Sequence, residues 1–290
     1  MNIKKIVKSV INETLRDPRN IQRSLNSEAY KLVDVYSVKV FQMIQHFYNS
    51  GIGLDGDFDT YWDDRIEIKN FDKKVGWFGL QFKLLTLCFD SEDESNYGMF
   101  SPANDNDYEA IIIFNPKKLN TLNKVRETFV HELTHVLDWC DAQHENYYDT
   151  NVTNKFNEII DYSIFLTNAS ELQARIQQSI ELAKQLINNG KFYYNEDVSL
   201  FDNIERLKLM VESASKISLF RKSISALTMD VTNTDELSYA AKMLHINSDG
   251  VSSETLFRQV KGIMNKRINW LEDQIEIGIK EIFKKEGWLK

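Results

Sequence analysis

Three of the 290 residues stand at a spacing that can do chemistry. Residues 128–137 read Thr128-Phe129-Val130-His131-Glu132-Leu133-Thr134-His135-Val136-Leu137. On a helix, residues i and i+4 lie about 40° apart around the axis and one turn apart along it. The imidazoles of His131 and His135 can therefore reach one metal ion. Glu132, about 100° round from His131, stands beside such an ion and not on it. A base must sit there to take a proton from a metal-activated water. The competing reading is an accidental pair on an ordinary helix. Against it, the chain has five histidines, at 46, 131, 135, 144 and 245, and two of them fall in register around a glutamate. Val130, Leu133, Val136 and Leu137 make the surroundings apolar. A helix that buries two histidines and a glutamate needs a reason, because unpartnered buried polar groups cost several kcal/mol.

With these residues the segment resembles the zincin metallopeptidases, whose signature is this motif on the active-site helix. Thr128, Phe129, Leu133, Thr134 and Val136 also fit the extended form of that signature. The resemblance covers about residues 105–180 and implies a Zn²⁺ cofactor held by His131 and His135, with Glu132 as general base in peptide-bond hydrolysis. It also implies a strand just upstream, at the edge of the sheet, on which an extended peptide can lie; Ala110-Ile111-Ile112-Ile113-Phe114 stands in that place. An interior strand is the alternative there.

A catalytic zinc takes three protein ligands and keeps one position open. Three readings of the third ligand compete. In the gluzincin branch it is a glutamate on a following helix, and Glu171 in Asn168-Ala169-Ser170-Glu171 resembles that pattern, with Glu158 and Asp161 in reserve. Asn168 and Glu171 can equally form a capping box. In the metzincin branch the ligand falls where Asp141 stands, but Asp138 replaces the glycine that turns the chain away. Asp138 shares the face of the two histidines and reads most simply as a hydrogen-bonding partner beside the metal. The Asn-Glu-x-x-Ser-Asp wording of thermolysin-like enzymes is absent. Tyr147, Tyr148, His144, Tyr162, Arg175, Tyr239 and His245 are candidates for stabilising an oxyanion, each with packing or surface exposure as the bland alternative. Asp55-Gly56-Asp57-Phe58-Asp59 is an acidic turn and not a calcium loop: glycine is missing at the sixth position, and Ile66 stands where glutamate is needed.

The elements that position these residues follow from periodicity. Ile3, Ile6, Val7, Val10 and Ile11 recur at helical spacing within residues 1–23. That basic segment suits either membrane-surface contact or a helix docked on the domain, and Glu13 and Asp17 favour the latter. A second helix is expected from Ser27 to Tyr48. Arg65 to Lys69 alternates, as does Phe78 to Phe89. Tyr108 to Phe114 is a β-branched run closed by Asn115-Pro116. Their connections are too short for crossover helices, so the sheet is expected to be mostly antiparallel. After Pro116 there is no proline, and helices are expected at 121–140, 152–166, 169–189, 200–222, 234–245 and 252–284. The fold class is α+β: a small, mostly antiparallel sheet with the motif helix, zincin-like, followed by a mainly helical C-terminal part. The expected organisation is N-terminal helices over 1–50, a catalytic core over 51–190 and a helical subdomain over 191–290.

Composition removes other classes. Lys+Arg 35 against Asp+Glu 43 leaves a net charge of -8, which argues against a nucleic-acid binder driven by global charge. No apolar run approaches the roughly 20 residues of a bilayer span. Two cysteines are not a disulfide framework; Cys88 and Cys140 read as free thiols of a reduced compartment. No signal peptide is evident, so the expected location is cytoplasmic. The abundance of Asn, Lys and Ile resembles AT-rich bacterial or phage proteomes; a phage protein would sit in the host cytoplasm or virion. The expected partner is a protein or peptide substrate. Two rivals to the peptidase reading are a zincin-like binding or structural protein without turnover, and a helical module whose motif is accidental.

Overall fold

The computed structural model describes Leu25 and residues 27–75, 78–92, 96–104, 108–141, 169–215, 217–228, 234–244 and 246–289. The expected helices at 1–23 and 152–166 lie outside them. The described residues fall into two compact units, one running from Leu25 to residue 141 and the other from residue 169 to residue 289. Each has its own apolar core. Among the described residues the fold is α+β, a four-stranded mixed sheet with eight α-helices and a mainly helical C-terminal part. No helix among the described residues is long and apolar enough to cross a membrane.

The first unit contains α1 (Ser27–Ser50), a short α2 (Phe58–Tyr61), β1 (Ile66–Val75), β2 (Phe78–Phe89), β3 (Gly98–Asn104), β4 (Glu109–Phe114) and α3 (Leu122–Asp141). The acidic turn caps α2: Asp57 Oδ1 accepts from the Thr60 amide at 2.8 Å, as an Asp N-cap should. The strand order is β1-β2-β4-β3. β1 and β2 form an antiparallel hairpin with Ile66 opposite Leu87 and Phe71 opposite Phe82. β3 and β4 are antiparallel, Gly98 facing Phe114 and Phe100 facing Ile112.

The sheet is mostly antiparallel as expected, two of its three strand pairs being so, while the edge position expected for residues 110–114 is corrected. The β2–β4 pair is parallel, Leu84 beside Glu109 through to Phe89 beside Phe114. No crossover helix is needed, because the chain goes out along β3 and returns in the middle. β4 is therefore interior, and the edge strand on this side is β3, a segment that the alternation of residues did not mark. Its sequence, Gly-Met-Phe-Ser-Pro-Ala-Asn, carries a glycine and a proline, both disfavoured in strand interiors. The proline is tolerated because it stands at an edge.

Aromatic packing joins the layers. Phe47 of α1 meets Phe89 of β2 at 4.9 Å between centroids, and Phe114 of β4 meets Phe129 of α3 at 5.8 Å, both edge-on. Such pairs add about 0.5–1.5 kcal/mol each beyond area burial.

The second unit contains α4 (Ala169–Asn188), α5 (Leu200–Ala214), α6 (Ile217–Ala226), α7 (Thr234–Met243) and α8 (Ser253–Lys285). The single helix expected over 200–222 is two: at the end of α5 the Ser215 hydroxyl folds back on the Val211 carbonyl at 2.7 Å, the local competition that lets serine end a helix. α8 buries one stripe, Leu256, Val260, Met264, Ile268, Leu271, Ile275, Ile279 and Ile282, at the spacing of an amphipathic helix. Gly278 lets α4 approach closely, since a Cβ there would lie 2.6 Å from Ile180.

Candidate metal centre

Thr121 starts the motif helix: its hydroxyl accepts from the Lys124 amide at 3.3 Å. α3 then packs on α1 and on strands β2, β3 and β4. Every residue from Thr128 to Trp139 is buried. A helix buried all round is expected to be apolar on every face, yet this stretch holds Thr128, His131, Glu132, Thr134, His135 and Asp138. Thr134 is satisfied locally, its hydroxyl donating to the Val130 carbonyl at 2.7 Å.

His131 and His135, 8% and 9% exposed, turn their Nε2 atoms to 3.2 Å from each other, with ring planes at 80°. Nitrogens at this separation can share one proton or aim both lone pairs at a cation. Two nitrogens bound to a tetrahedral zinc at about 2.0–2.1 Å stand about 3.3–3.4 Å apart, so the observed separation fits a shared ion with a shift of a tenth of an ångström or two. Glu132, 5% exposed, completes a group whose potential ligand atoms all lie within 4.8 Å of one another. This buried group can hold a metal ion. Among the described residues it is the cluster of three or more such side chains close enough to do so.

β3 runs against the same helix. A Cβ on Gly98 would fall 2.6 Å from Thr128 Cγ2 and 3.4 Å from Glu132 Cγ. The clash with Thr128 means that glycine is what lets the edge strand lie this close to the motif helix. Two residues before the end of the helix, Trp139 is fully buried and meets Phe100 of β3 at 6.0 Å. Gly98 and Phe100 are the site neighbours that sequence reasoning missed. The signal available was a glycine inside a potential strand, which often marks close backbone approach.

Asp138 is buried on α3, on the histidine side of the helix by its spacing. Asp141 ends the helix, and its side chain lies outside the described residues, as do Glu158, Asp161, His144, Tyr147, Tyr148, Tyr162 and His245. Glu171, Arg175 and Tyr239 belong to the second unit. Glu171 stands in the first turn of α4, 2% exposed, with its Oε1 accepting from Arg175 Nε at 2.6 Å.

Cys140 follows the buried stretch; its thiol donates to the Gln81 carbonyl at 3.1 Å, tying the end of α3 to β2. Both cysteines are free thiols. Burial, and then the charge of Asp90, pushes the Cys88 thiol up to about 12, so it is a core residue and not a thiolate ligand.

No protein-family model matches the chain, and no curated protein and no solved structure matches it.

Proposed function

We propose that the chain is a zinc-dependent metalloendopeptidase. The observation that supports this best is the convergence of His131 and His135 on a 3.2 Å separation with Glu132 buried beside them. His131 and His135 would hold the ion. When bound there, zinc would supply a Lewis acid that brings the pKa of a water to about 7 and polarises a carbonyl. Glu132 would take a proton from the attacking water on its carboxylate as the water oxygen bonds to the peptide carbonyl carbon, and would pass it to the amine nitrogen as the C–N bond breaks. The burial of the group keeps competing water away and strengthens each charge interaction.

The substrate is an extended peptide laid along β3. The Asn115 amide donates to the Tyr97 carbonyl at 3.0 Å, which fixes the pairing: Met99 and Ser101 turn their backbone groups toward β4. Gly98 and Phe100 therefore turn theirs to the open side. An added strand can pair with them, beginning beside Glu132.

Metal analysis with activity measurement tests this reading. The chain as purified should carry close to one zinc, which His131→Ala should remove. Glu132→Gln should retain zinc and lose hydrolysis of an unstructured protein such as casein. An active Glu132→Gln protein refutes the assigned mechanism, and zinc with no turnover points to a metal-holding binding protein.

A further inference from the structure

The second unit carries an open groove that the metal centre does not use. Two adjoining cavities of about 490 and 440 Å³ share Arg206 and Met210. One is walled by the turn after α4, including Tyr193 and Tyr194; the other is walled by Leu186 of α4 and Leu209 of α5. Tyr193 is 73% exposed and Leu209 56%, both high for large apolar side chains.

Along α5 the groove is a helical stripe. Arg206, Leu209, Met210, Ser213 and Ala214 stand at i, i+3, i+4, i+7 and i+8, the ridge that a further helix packs against. Small residues at its far end, Ser213 and Ala214, leave room for a close approach. The floor is rigid, because α4 and α5 pack on each other and bury Leu186 and Leu207 in the core of the unit.

Charge selects the partner. In a chain of net charge -8, the only charged residues lining the two cavities are Lys191 and Arg206. Arg206 is held in place: its guanidinium lies 4.8 Å over the Phe192 ring and donates to the Tyr193 carbonyl and to Asn203 Oδ1. The nearby carboxylate of Asp202 is engaged in the cap of α5, accepting from the Ser199 hydroxyl at 2.7 Å. A pre-positioned guanidinium between two apolar hollows suits a carboxylate flanked by aliphatic side chains. We infer that this groove docks an amphipathic helix of a partner protein, with leucine-like residues in the two hollows and an acidic residue on Arg206.

The test uses the full chain and two synthetic helical peptides with identical leucine positions, one with glutamate and one with lysine on the flanks. The acidic peptide should bind in a fluorescence-anisotropy titration, more weakly at high salt, and the lysine peptide at least about tenfold more weakly. Leu209→Asp should abolish binding of the acidic peptide. Lys191→Glu sits on an exposed turn away from the packed floor and should weaken it several-fold with an unchanged circular dichroism spectrum. Equal binding of the two peptides, no binding of either, or indifference to both substitutions overturns the inference. So does a concentration-dependent dimer, seen by sedimentation, that Leu209→Asp dissolves, because the groove is then a contact between copies. None of these readouts depends on zinc or on hydrolysis.

Discussion

The two helices α3 and α8 solve opposite problems. α8 is 33 residues long and buries one apolar stripe. Its other face carries ion pairs such as Arg221 with Glu272 and Lys280 with Glu276. Burial explains its sequence almost entirely. α3 is 20 residues long and is covered on every side from Thr128 to Trp139, yet it keeps two histidines, a glutamate and an aspartate where leucine would pack at no desolvation cost. A buried polar group without a role is destabilising by about 1–3 kcal/mol or more. The difference separates residues that cohesion explains from residues whose types and spacing suit a metal ion.

Substitutions on α3 should break function while those on α8 break stability. The largest effect is expected from Glu132→Gln, with hydrolysis falling by about 100-fold or more while zinc per chain stays near one; a fall in bound zinc to match would make Glu132 a ligand. Ile275→Ala, in the fully buried stripe of α8, should cost about 2–5 kcal/mol of stability by urea denaturation and leave zinc per folded chain unchanged. Gly98→Ala brings both sides together. The new methyl meets Thr128 and the Glu132 stem, so stability should drop by about 1–3 kcal/mol, with a larger proportional loss of turnover than Ile275→Ala causes at equal folded fraction.

Two smaller effects sharpen the contrast. With its thiol pushed up to about 12, Cys88 should resist iodoacetamide at pH 8 in the native protein. Cys140, half-buried, should react first; simultaneous labelling by mass spectrometry would show the sheet opening as one body with the end of α3. On α8, hydrogen bonds from Lys280 and then Lys208 hold the Glu276 carboxyl below its ordinary value. A depressed carboxyl contributes above its unfolded pKa, and the contribution is lost as pH falls through the folded value. Glu276→Gln should therefore cost under about 1 kcal/mol at pH 7, with the gap to wild type closing below pH 4 in urea titrations.

Much of this was legible from residue order. Periodicities placed α1, α3 and α8 within a few residues, because each repeats its buried spacing over several turns. The histidine pair that can hold a metal ion was legible because i, i+4 geometry is local. β3 was not: its glycine and proline argue against a strand, and only pairing with β4 makes it one. The parallel β2–β4 contact was hidden for the same reason, since it depends on a strand the pattern did not reveal. Gly98 had no local signal tying it to Glu132, which lies 34 positions further along the chain by subtraction (132 − 98).

The placement of β4 has a consequence for synthesis. Among the described residues it is the last strand to leave the ribosome, and it must slide between two that precede it. Until residue 114 has emerged, a nascent chain holds a hairpin and a loose third ribbon with nothing between them. α3 begins only eight positions later, at Leu122, so the imidazole pair emerges soon after its platform becomes completable. A translational pause placed before β4 would prolong exposure of two unsatisfied sheet margins, and one placed after it would not.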